Sequence, residues 1–516
     1  DLTQEVQAWI ADDPDPKTAA QLQQWLDSNN EVELRTSFSG FLQFGTAGLR
    51  GPIRPGPSGM NRAVVGRTAA GIAAYMKERN LTSVVIGRDA RYGSEDFTFE
   101  TAQIMSGAGM KVYVLPRPLP TPVLAFATNE LKCDVGIMVT ASHNPPQDNG
   151  YKVYLGGTVD GIHYRGSQIV SPTDESIAQK IDSITSLASQ PRGKEWTVLG
   201  EEVVDKYVGI TAALAHKPGN LKIVYTAMHG VGTETLQQVF HKAGFPQPIL
   251  VDSQAKPDPD FPTVAFPNPE EPGAIDLALE TARAFDADLV IANDPDADRC
   301  AAAVKDPVKG WRMLRGDELG VILGETIARA TTQGILANSI VSSSILSKIA
   351  AHYKLDFKET LTGFKWLAKI DGLTFGYEEA LGYAVDAVTV NDKDGISAAI
   401  KLAQIATDLA AQNKTLLDLL DEVWARHGFH ATEQISIRLS DLSQVGVIMG
   451  NLRRNSPKEI AGRSVTSIDD LAKPKDGLPP TDGLRIWFDG GIRIIIRPSG
   501  TEAKMKCYIE AIAKDS

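Results

Sequence analysis

At 516 residues the chain is too long for one ordinary hydrophobic core, and about 150 residues per domain predicts three or four domains. Hydrophobic residues make up 43% and charged residues 22%, the balance of a soluble globular protein, and no apolar run reaches the roughly 18 residues that span a bilayer. The net charge of −12 speaks against a nucleic-acid partner, because gripping a phosphate backbone needs a basic face.

The N-terminal stretch "DLTQEVQAWIADDPDPKTAAQLQQWL" is acidic and interrupted, unlike an export signal with a basic start and an apolar core. Cys133, Cys300 and Cys507 lie far apart with no C-x-x-C spacing, so neither a disulfide framework nor a zinc site is expected. A reducing, cytoplasmic setting without membrane contact follows as the expectation. If the ligand is an anion, its cations must be gathered locally against the overall field.

The first motif is "FGTAGLRG", Phe44 to Gly51. Three glycines would let backbone N–H groups approach an anion, and Arg50 adds a guanidinium that binds phosphate in a planar, bidentate way; a plain glycine turn is the alternative. Val65, Ala69, Ile72 and Met76 then share one helix face, and similar helical patterns recur at 274–285 and 394–411. Short β-branched runs, "SVVIG", "KVYVL", "DVGIMV", "LKIVYTA", "ADLVIA" and "SIVSSSI", predict strands. Alternation of strand and helix predicts an α/β protein with parallel or mixed sheets.

Three strands empty into polar loops: "DVGIMV" into "TASHNP", "ADLVIA" into "NDPDADR", and "GLTF" into "GYEEALGY". Ligands collect at the carboxyl ends of strands in α/β sheets, so repeated domains around one shared cleft are expected. In the first loop, Ser142 has no G-x-S-x-G elbow, and the side chain of the adjoining His143 is expected to diverge from it. A serine that accepts a phosphoryl group, with Lys152 as a nearby cation, suits the loop better; a turn serine is the alternative.

The second loop sets Asp294, Asp296 and Asp298 at alternate positions, where three carboxylates repel unless a hard cation such as Mg²⁺ or Ca²⁺ joins them. An EF-hand is excluded, because its glycine and glutamate positions hold Arg299 and Lys305. In the third loop Glu378 and Glu379 could accept sugar hydroxyls or merely begin a helix. "VNDKDGISAAI" reads as a helix start with Asp394 near its cap, or as a site where a buried Lys393 serves as general acid or base.

After the helix "TLLDLLDEVWARHG", the tail reads strand, turn, strand, loop, strand, a small α+β domain. Its loop "IIIRPSGTEAK" gathers Arg497, Ser499, Gly500 and Thr501, a set of donors for a phosphate dianion or a plain hairpin turn.

Taken in order, "FGTAGLRG", "TASHNPPQDNGYK", "DPDADR", "GYEEALG", "KDG" and "RPSGTE" resemble the motifs of the α-D-phosphohexomutase superfamily over roughly residues 40–510. "NPEEPGA" and "LTGFKWL" look most like the branch with bacterial phosphoglucomutases and phosphopentomutases. The resemblance implies four domains around a central cleft: 1–215 with an N-terminal helical extension and the serine loop, 216–332 with the metal loop, 333–435 with the sugar loop, and 436–516 with the phosphate loop. The first three would be related mixed α/β domains and the last a TATA-binding-protein-like α+β domain.

It further implies a phosphorylated Ser142, with Mg²⁺ held by Asp294, Asp296, Asp298 and a phosphate oxygen of that serine. Arg50, His143, Lys152, Arg299 and Lys393 match its phosphoryl-transfer positions, Glu378 and Glu379 its sugar contact, and Arg497, Ser499, Gly500 and Thr501 its phosphate grip. The implied activity is interconversion of a hexose 1-phosphate and 6-phosphate, glucose or mannose, through a sugar bisphosphate, with glucose 1,6-bisphosphate as activator and the enzyme a monomer or homodimer. A phosphopentomutase and a sugar bisphosphate synthase are the alternatives. Outside the resemblance, a metal-dependent phosphatase or a non-catalytic sugar-phosphate binder would use the same residues. Ala380 stands where many members carry serine, Gly382 where some carry histidine, and the stretch after Lys152 is long and glycine-rich, so the sugar stays open.

Overall fold

In the computed structural model, residues 1–499 and 503–514 are described. Gly500 and Thr501, expected in the C-terminal phosphate loop, lie outside the described residues. The chain divides into two compact units, one of Asp1–Leu314 with Ala368–Asp371 and Leu381–Asp408, the other of Arg315–Leu367, Gly372–Ala380 and the chain from Leu409 onward. Among the described residues no helix is long and apolar enough to cross a membrane.

The first unit opens with three short helices, Leu2–Asp12, Pro16–Asp27 and Glu31–Ser37, capped by Asp1, Asp15 and Asn30. They close on Val6, Leu22 and Leu34, with Trp9, Trp25 and Phe38 packed around. A seven-stranded sheet follows, in which Val135–Val139, Ser83–Arg88, Lys111–Val114 and Thr197–Val198 run parallel. Asp148–Leu155 joins Val135–Val139 antiparallel, and Leu49–Pro52 joins Asp148–Leu155 antiparallel. Every residue of Val135–Val139 is buried, which is why that strand reads as a continuous apolar run rather than an alternation.

The long stretch after Lys152 forms a small hairpin, Thr158–Val159 with Ile162–His163, before Ser167–Gln168 returns to the sheet edge. A second, five-stranded sheet holds Ile249–Leu250, Ile223–Thr226 and Leu289–Ala292 in parallel, then Ala301–Asp306 and Gly310–Met313 antiparallel.

In the second unit Asp356–Thr360, Ile335–Ser339 and Leu373–Glu378 are parallel. The expected strand "SIVSSSI" is displaced: the strand is Ile335–Ser339, and the serines after it form a turn closed by Ser342 N on Ser339 O. Serine hydroxyls that bond to nearby groups compete with a β ladder, and the apolar–polar pattern hid that. Glu378 likewise ends its strand rather than lying in the loop.

The C-terminal sheet is antiparallel, with Phe429–Arg438, Lys504–Ala513, Ile492–Pro498, Leu484–Phe488 and Arg463–Asp470 in that order, extended by Glu459–Ile460. The helix Ser443–Arg454 lays Val445 and Met449 on one face of it, against Leu484, Ile486, Phe488 and Met505. Ile495 and Tyr508 pack instead with Ile340, Val341 and Leu361.

Candidate active site

The serine loop is shaped by groups far from it in sequence. Thr140 Oγ1 accepts from Ser142 N at 2.9 Å and donates to Asp89 Oδ2 at 2.7 Å, which turns the chain sharply at the strand's end. Ser142 itself sits at φ 51°, a left-handed conformation that non-glycine residues adopt at a cost and that is often kept at functional positions. Arg91, 4% exposed, donates to four carbonyls of the loop: Ser142 O at 2.6 Å, Asn144 O at 2.7 Å, Pro145 O at 2.9 Å and Asp148 O at 3.2 Å. An ion pair to Asp89 at 3.3 Å anchors that guanidinium. Sequence reasoning missed Arg91, because "RDARYG" carries no signal of what it braces.

Ser142 Oγ donates to Asp294 Oδ2 at 3.1 Å and lies 3.3 Å from His143 Nδ1. The two neighbouring side chains, expected to diverge, therefore meet. Burial, with the Arg299 and Arg50 charges adding to it, holds the His143 pKa well below its usual value, so the imidazole is neutral at physiological pH.

Asp294, Asp296 and Asp298 are fully buried on the loop that leaves Leu289–Ala292. Asn293 pins the loop: its Nδ2 donates to Arg299 O at 2.6 Å while its Oδ1 accepts from Tyr225. One oxygen each of Asp296 and Asp298 is spoken for, and both of Asp294, whose Oδ1 accepts from Arg299 N at 3.1 Å. Asp294 Oδ2 takes Ser142, Asp296 Oδ2 takes Thr121 Oγ1 and Lys152, and Asp298 Oδ2 takes Lys152 at 2.9 Å and Lys393 at 3.0 Å. The second oxygens, Asp296 Oδ1 and Asp298 Oδ1, are buried without a hydrogen-bond partner, and ligand atoms of the three residues lie within 4.8 Å of one another.

Burial and the two neighbouring carboxylates drive the Asp294 pKa well up. Asp296 and Asp298 are burdened by burial too, yet Lys152, and for Asp298 also Lys393, keep them ionised. Lys152 in turn is penalised by burial but held charged by Asp296 and Asp298. Orphaned buried oxygens on a crowded all-oxygen donor set fit a hard divalent cation, and this triad can hold one.

Arg50 lies on Leu49–Pro52, paired with Gly150, and donates to Asn144 Oδ1 at 3.3 Å. The glycine turn before it is not the expected nest of N–H groups. Gly45 and Gly48 bond to each other's carbonyls, at 3.1 and 2.8 Å, and Gly48 is required because a Cβ there would meet Tyr151 O at 1.7 Å. The turn thus brings a strand, and Arg50 with it, against the serine-loop strand. Arg299 lies 4.0 Å from both Asp294 and Glu270.

Lys393 is aimed by its neighbours. Tyr154 donates to Asp392 Oδ2 at 2.6 Å, Tyr207 donates to Asp394 at 2.8 Å, and Asp394 Oδ1 caps the helix from Gly395 by accepting from Ile396 N and Ser397 N. Burial pushes the Asp394 pKa up to about 6. Both tyrosines were invisible to motif reasoning, being ordinary core residues by pattern.

The remaining expected residues belong to the second unit. Glu379 accepts from Ser342 Oγ at 2.9 Å and Ser339 Oγ at 3.1 Å, and burial, reinforced by Asp317 and Glu378, raises its pKa to about 7. Glu379 is therefore engaged within its own unit, and Glu378 beside it ends the strand Leu373–Glu378. Arg497 sits near the end of Ile492–Pro498, and Ser499 N donates to Lys504 O at 2.8 Å.

A buried serine over an acidic triad, ringed by ammonium and guanidinium groups on mixed α/β sheets, has the chemistry of a phosphoryl-transfer enzyme. Family models for the α/β/α domains I, II and III and the C-terminal domain of phosphoglucomutase/phosphomannomutase match residues 42–188, 203–310, 315–427 and 449–515. A protein of Haemophilus influenzae named "Probable phosphomannomutase" is 50% identical over 89% of this chain and 94% of its own. A mouse protein named phosphopentomutase is 34% identical over 99% of this chain and 90% of its own. In fold, the chain is similar to the open form of Paramecium parafusin (TM-score 0.72, 19% identity, 93% of this chain and 92% of that one). The chain belongs to the phosphoglucomutase/phosphomannomutase family. It is a phosphosugar mutase, an enzyme of the isomerase class.

Proposed function

We propose that this mutase moves phosphate reversibly between the 1- and 6-hydroxyls of glucose or mannose, and that Ser142 carries the phosphoryl group between turnovers. Phosphoserine 142 gives its phosphoryl group to the free hydroxyl of the bound monophosphate, forming a bisphosphate; the sugar reverses, and its other phosphate returns to Ser142 Oγ. Support comes chiefly from the placement of Ser142 Oγ, 3.1 Å from Asp294 and 3.3 Å from a neutral imidazole.

Asp294, Asp296, Asp298 and a phosphoserine oxygen would hold Mg²⁺, which when bound supplies positive charge to offset that gathered on the phosphoryl group. The protein's own part is electrostatic and positional. Arg50 and Arg299 add charge beside the serine, and Lys152 bridges Asp296 and Asp298 at 2.8 and 2.9 Å so that the acidic loop keeps its shape. His143, neutral, can take a proton from the attacking hydroxyl or return one to Ser142 Oγ. Lys393, whose Nζ lies 3.0 Å from Asp298, is the other candidate general acid or base. Glu378 is assigned the sugar hydroxyls, and Arg497 with Ser499, Gly500 and Thr501 the phosphate that is not reacting.

We place the domain boundaries near residues 215, 332 and 435, and the enzyme in the cytosol, where its three unpaired cysteines stay reduced. A sugar bisphosphate such as glucose 1,6-bisphosphate would activate it by restoring phosphoserine. The mouse relative named phosphopentomutase keeps ribose 1-phosphate as a second substrate reading.

The test is kcat/KM on glucose, mannose and ribose 1-phosphates with the bisphosphate supplied, alongside inorganic phosphate release and the Ser142→Ala variant. The reading expects a 6-phosphate product, negligible phosphate release and near-total loss in Ser142→Ala. Stoichiometric phosphate release, or full activity in the alanine variant, would reject it.

A further inference from the structure

The glycine-rich stretch after Lys152, to which the motifs assign no task, returns the chain to the sheet of the first unit for only two residues. That strand, Ser167–Gln168, pairs antiparallel with the end of Asp148–Leu155, and Gln168 falls opposite Tyr154. The excursion between them, residues 156–166, is closed by Gly157 O, which accepts from Tyr164 N at 2.9 Å and Arg165 N at 3.0 Å. Its return requires glycine: Gly166 has φ 77°, and a Cβ there would meet the Asn129 side chain at 2.7 Å. Lys369 pins the returning chain, its Nζ donating to Ser167 Oγ at 2.7 Å and Gln168 O at 2.8 Å and lying 4.8 Å from the centroid of the buried Tyr164 ring.

The two residues before Lys393 are both fastened to this excursion. Asn391 Nδ2 donates to Tyr164 O at 3.0 Å and to Ala368 O at 2.9 Å. The buried Asp392 accepts from Gln168 Nε2 at 3.4 Å on Oδ1 and 3.3 Å on Oδ2, and from Tyr154 on Oδ2. Tyr154 and Gln168, opposite each other across the strand pair, thus converge on one carboxylate. Lys152 stands two residues before Tyr154 on the same strand face and shares Asp298 Oδ2 with Lys393. Lysine carries its charge on a flexible four-carbon stem, so the charge is placed only as well as the backbone that bears it.

We propose that Gln168 is a positioning residue for phosphoryl transfer: the glycine-rich excursion delivers its amide to Asp392, and together with Tyr154 it fixes the backbone from which Lys393 reaches Asp298. Gln168 acts through Lys393, so the consequence falls on kcat rather than on KM. This rests on the reading above that Lys393 serves the transfer step. A glutamine that only satisfied a buried carboxylate would change the yield of folded protein and have no kinetic link to Lys393.

The experiment is a double-mutant cycle in kcat over wild type, Gln168→Met, Lys393→Met and the pair. It is run with Mg²⁺ and the bisphosphate supplied, on whichever of glucose, mannose and ribose 1-phosphate the wild type turns over fastest. Gln168→Met keeps length and loses the amide, and folding is checked by circular dichroism. Lys393→Met is expected to lower kcat about a hundredfold. Gln168→Met should lower it about tenfold with KM within about twofold, and the pair should fall no more than about twofold below Lys393→Met alone. If Gln168→Met does not fold, Gln168→Ala, which removes the same donor, takes its place in the cycle. Wild-type kcat in the folded Gln168 variant, an effect confined to KM, or a full further tenfold loss in the pair would overturn the proposal. Unchanged kcat in Lys393→Met would instead overturn the assignment of Lys393 to the transfer step, and the proposal with it.

Discussion

Replacing Lys152 with methionine removes a charge while nearly conserving volume. Its ammonium lies 2.8 Å from Asp296 Oδ2 and 2.9 Å from Asp298 Oδ2, with its side chain 5% exposed and both carboxylates fully buried. At an effective dielectric of about 20, each contact carries roughly 6 kcal/mol of Coulomb attraction. Most of that is offset by the water stripped from all three groups, but the carboxylates stay buried when the lysine goes. The net loss on breaking such a set is about 3–5 kcal/mol. Urea unfolding in the presence of a chelator should reveal it as a midpoint lowered by about 1–1.7 M, taking m near 3 kcal/mol per M. Millimolar Mg²⁺ should stabilise Lys152→Met more than it stabilises wild type, because the ion takes over the lost positive charge. A variant as stable as wild type in chelator, or an equal metal effect on both proteins, would refute the electrostatic account of the triad.

Glu379 gives a pH signature. Its folded pKa of about 7 lies above the ordinary 4.5, so its contribution to stability is fully present below about pH 4.5 and is lost as pH rises through 7. Allowing for partial exposure, that is about 2–3 kcal/mol, and unfolding free energies of Glu379→Gln measured from pH 4.5 to 8 should lack this component of the slope; parallel wild-type and variant curves would contradict it. Gly48→Ala places a Cβ 1.7 Å from Tyr151 O at a position with φ 75°, so it should cost at least about 2 kcal/mol in urea unfolding and sharply lower turnover by displacing the Arg50 strand. A fully stable, fully active variant would show that the strand does not depend on this close approach.

What the sequence disclosed was what repeats locally. Apolar runs such as "VGIMV" and "LVIA" mark buried strands, and alternate aspartates just past one of them mark a cluster that could hold a cation, because both patterns are set by neighbours in the chain. The serine, triad and lysine positions named from motifs do converge in the first unit. Residues that aim them were not legible. Arg91, Tyr154, Tyr207 and Thr121 act across gaps of tens to hundreds of residues, through hydrogen bonds to carbonyls or carboxylates, and no periodicity encodes that. Two local patterns misled. "SIVSSSI" has strand composition but spends its serines on carboxylates, and the glycines of "FGTAGLRG" serve close backbone approach rather than anion binding.

The central claim is that Ser142 stores the phosphoryl group, and intact-protein mass spectrometry with site mapping tests it most directly. After incubation with glucose 1,6-bisphosphate and Mg²⁺, the wild-type chain should gain the mass of one phosphoryl group, mapped to Ser142, and lose it on addition of excess hexose monophosphate. Ser142→Ala should gain none. A chain that stays unmodified while catalysing the interconversion, or one phosphorylated equally in Ser142→Ala, would contradict the account.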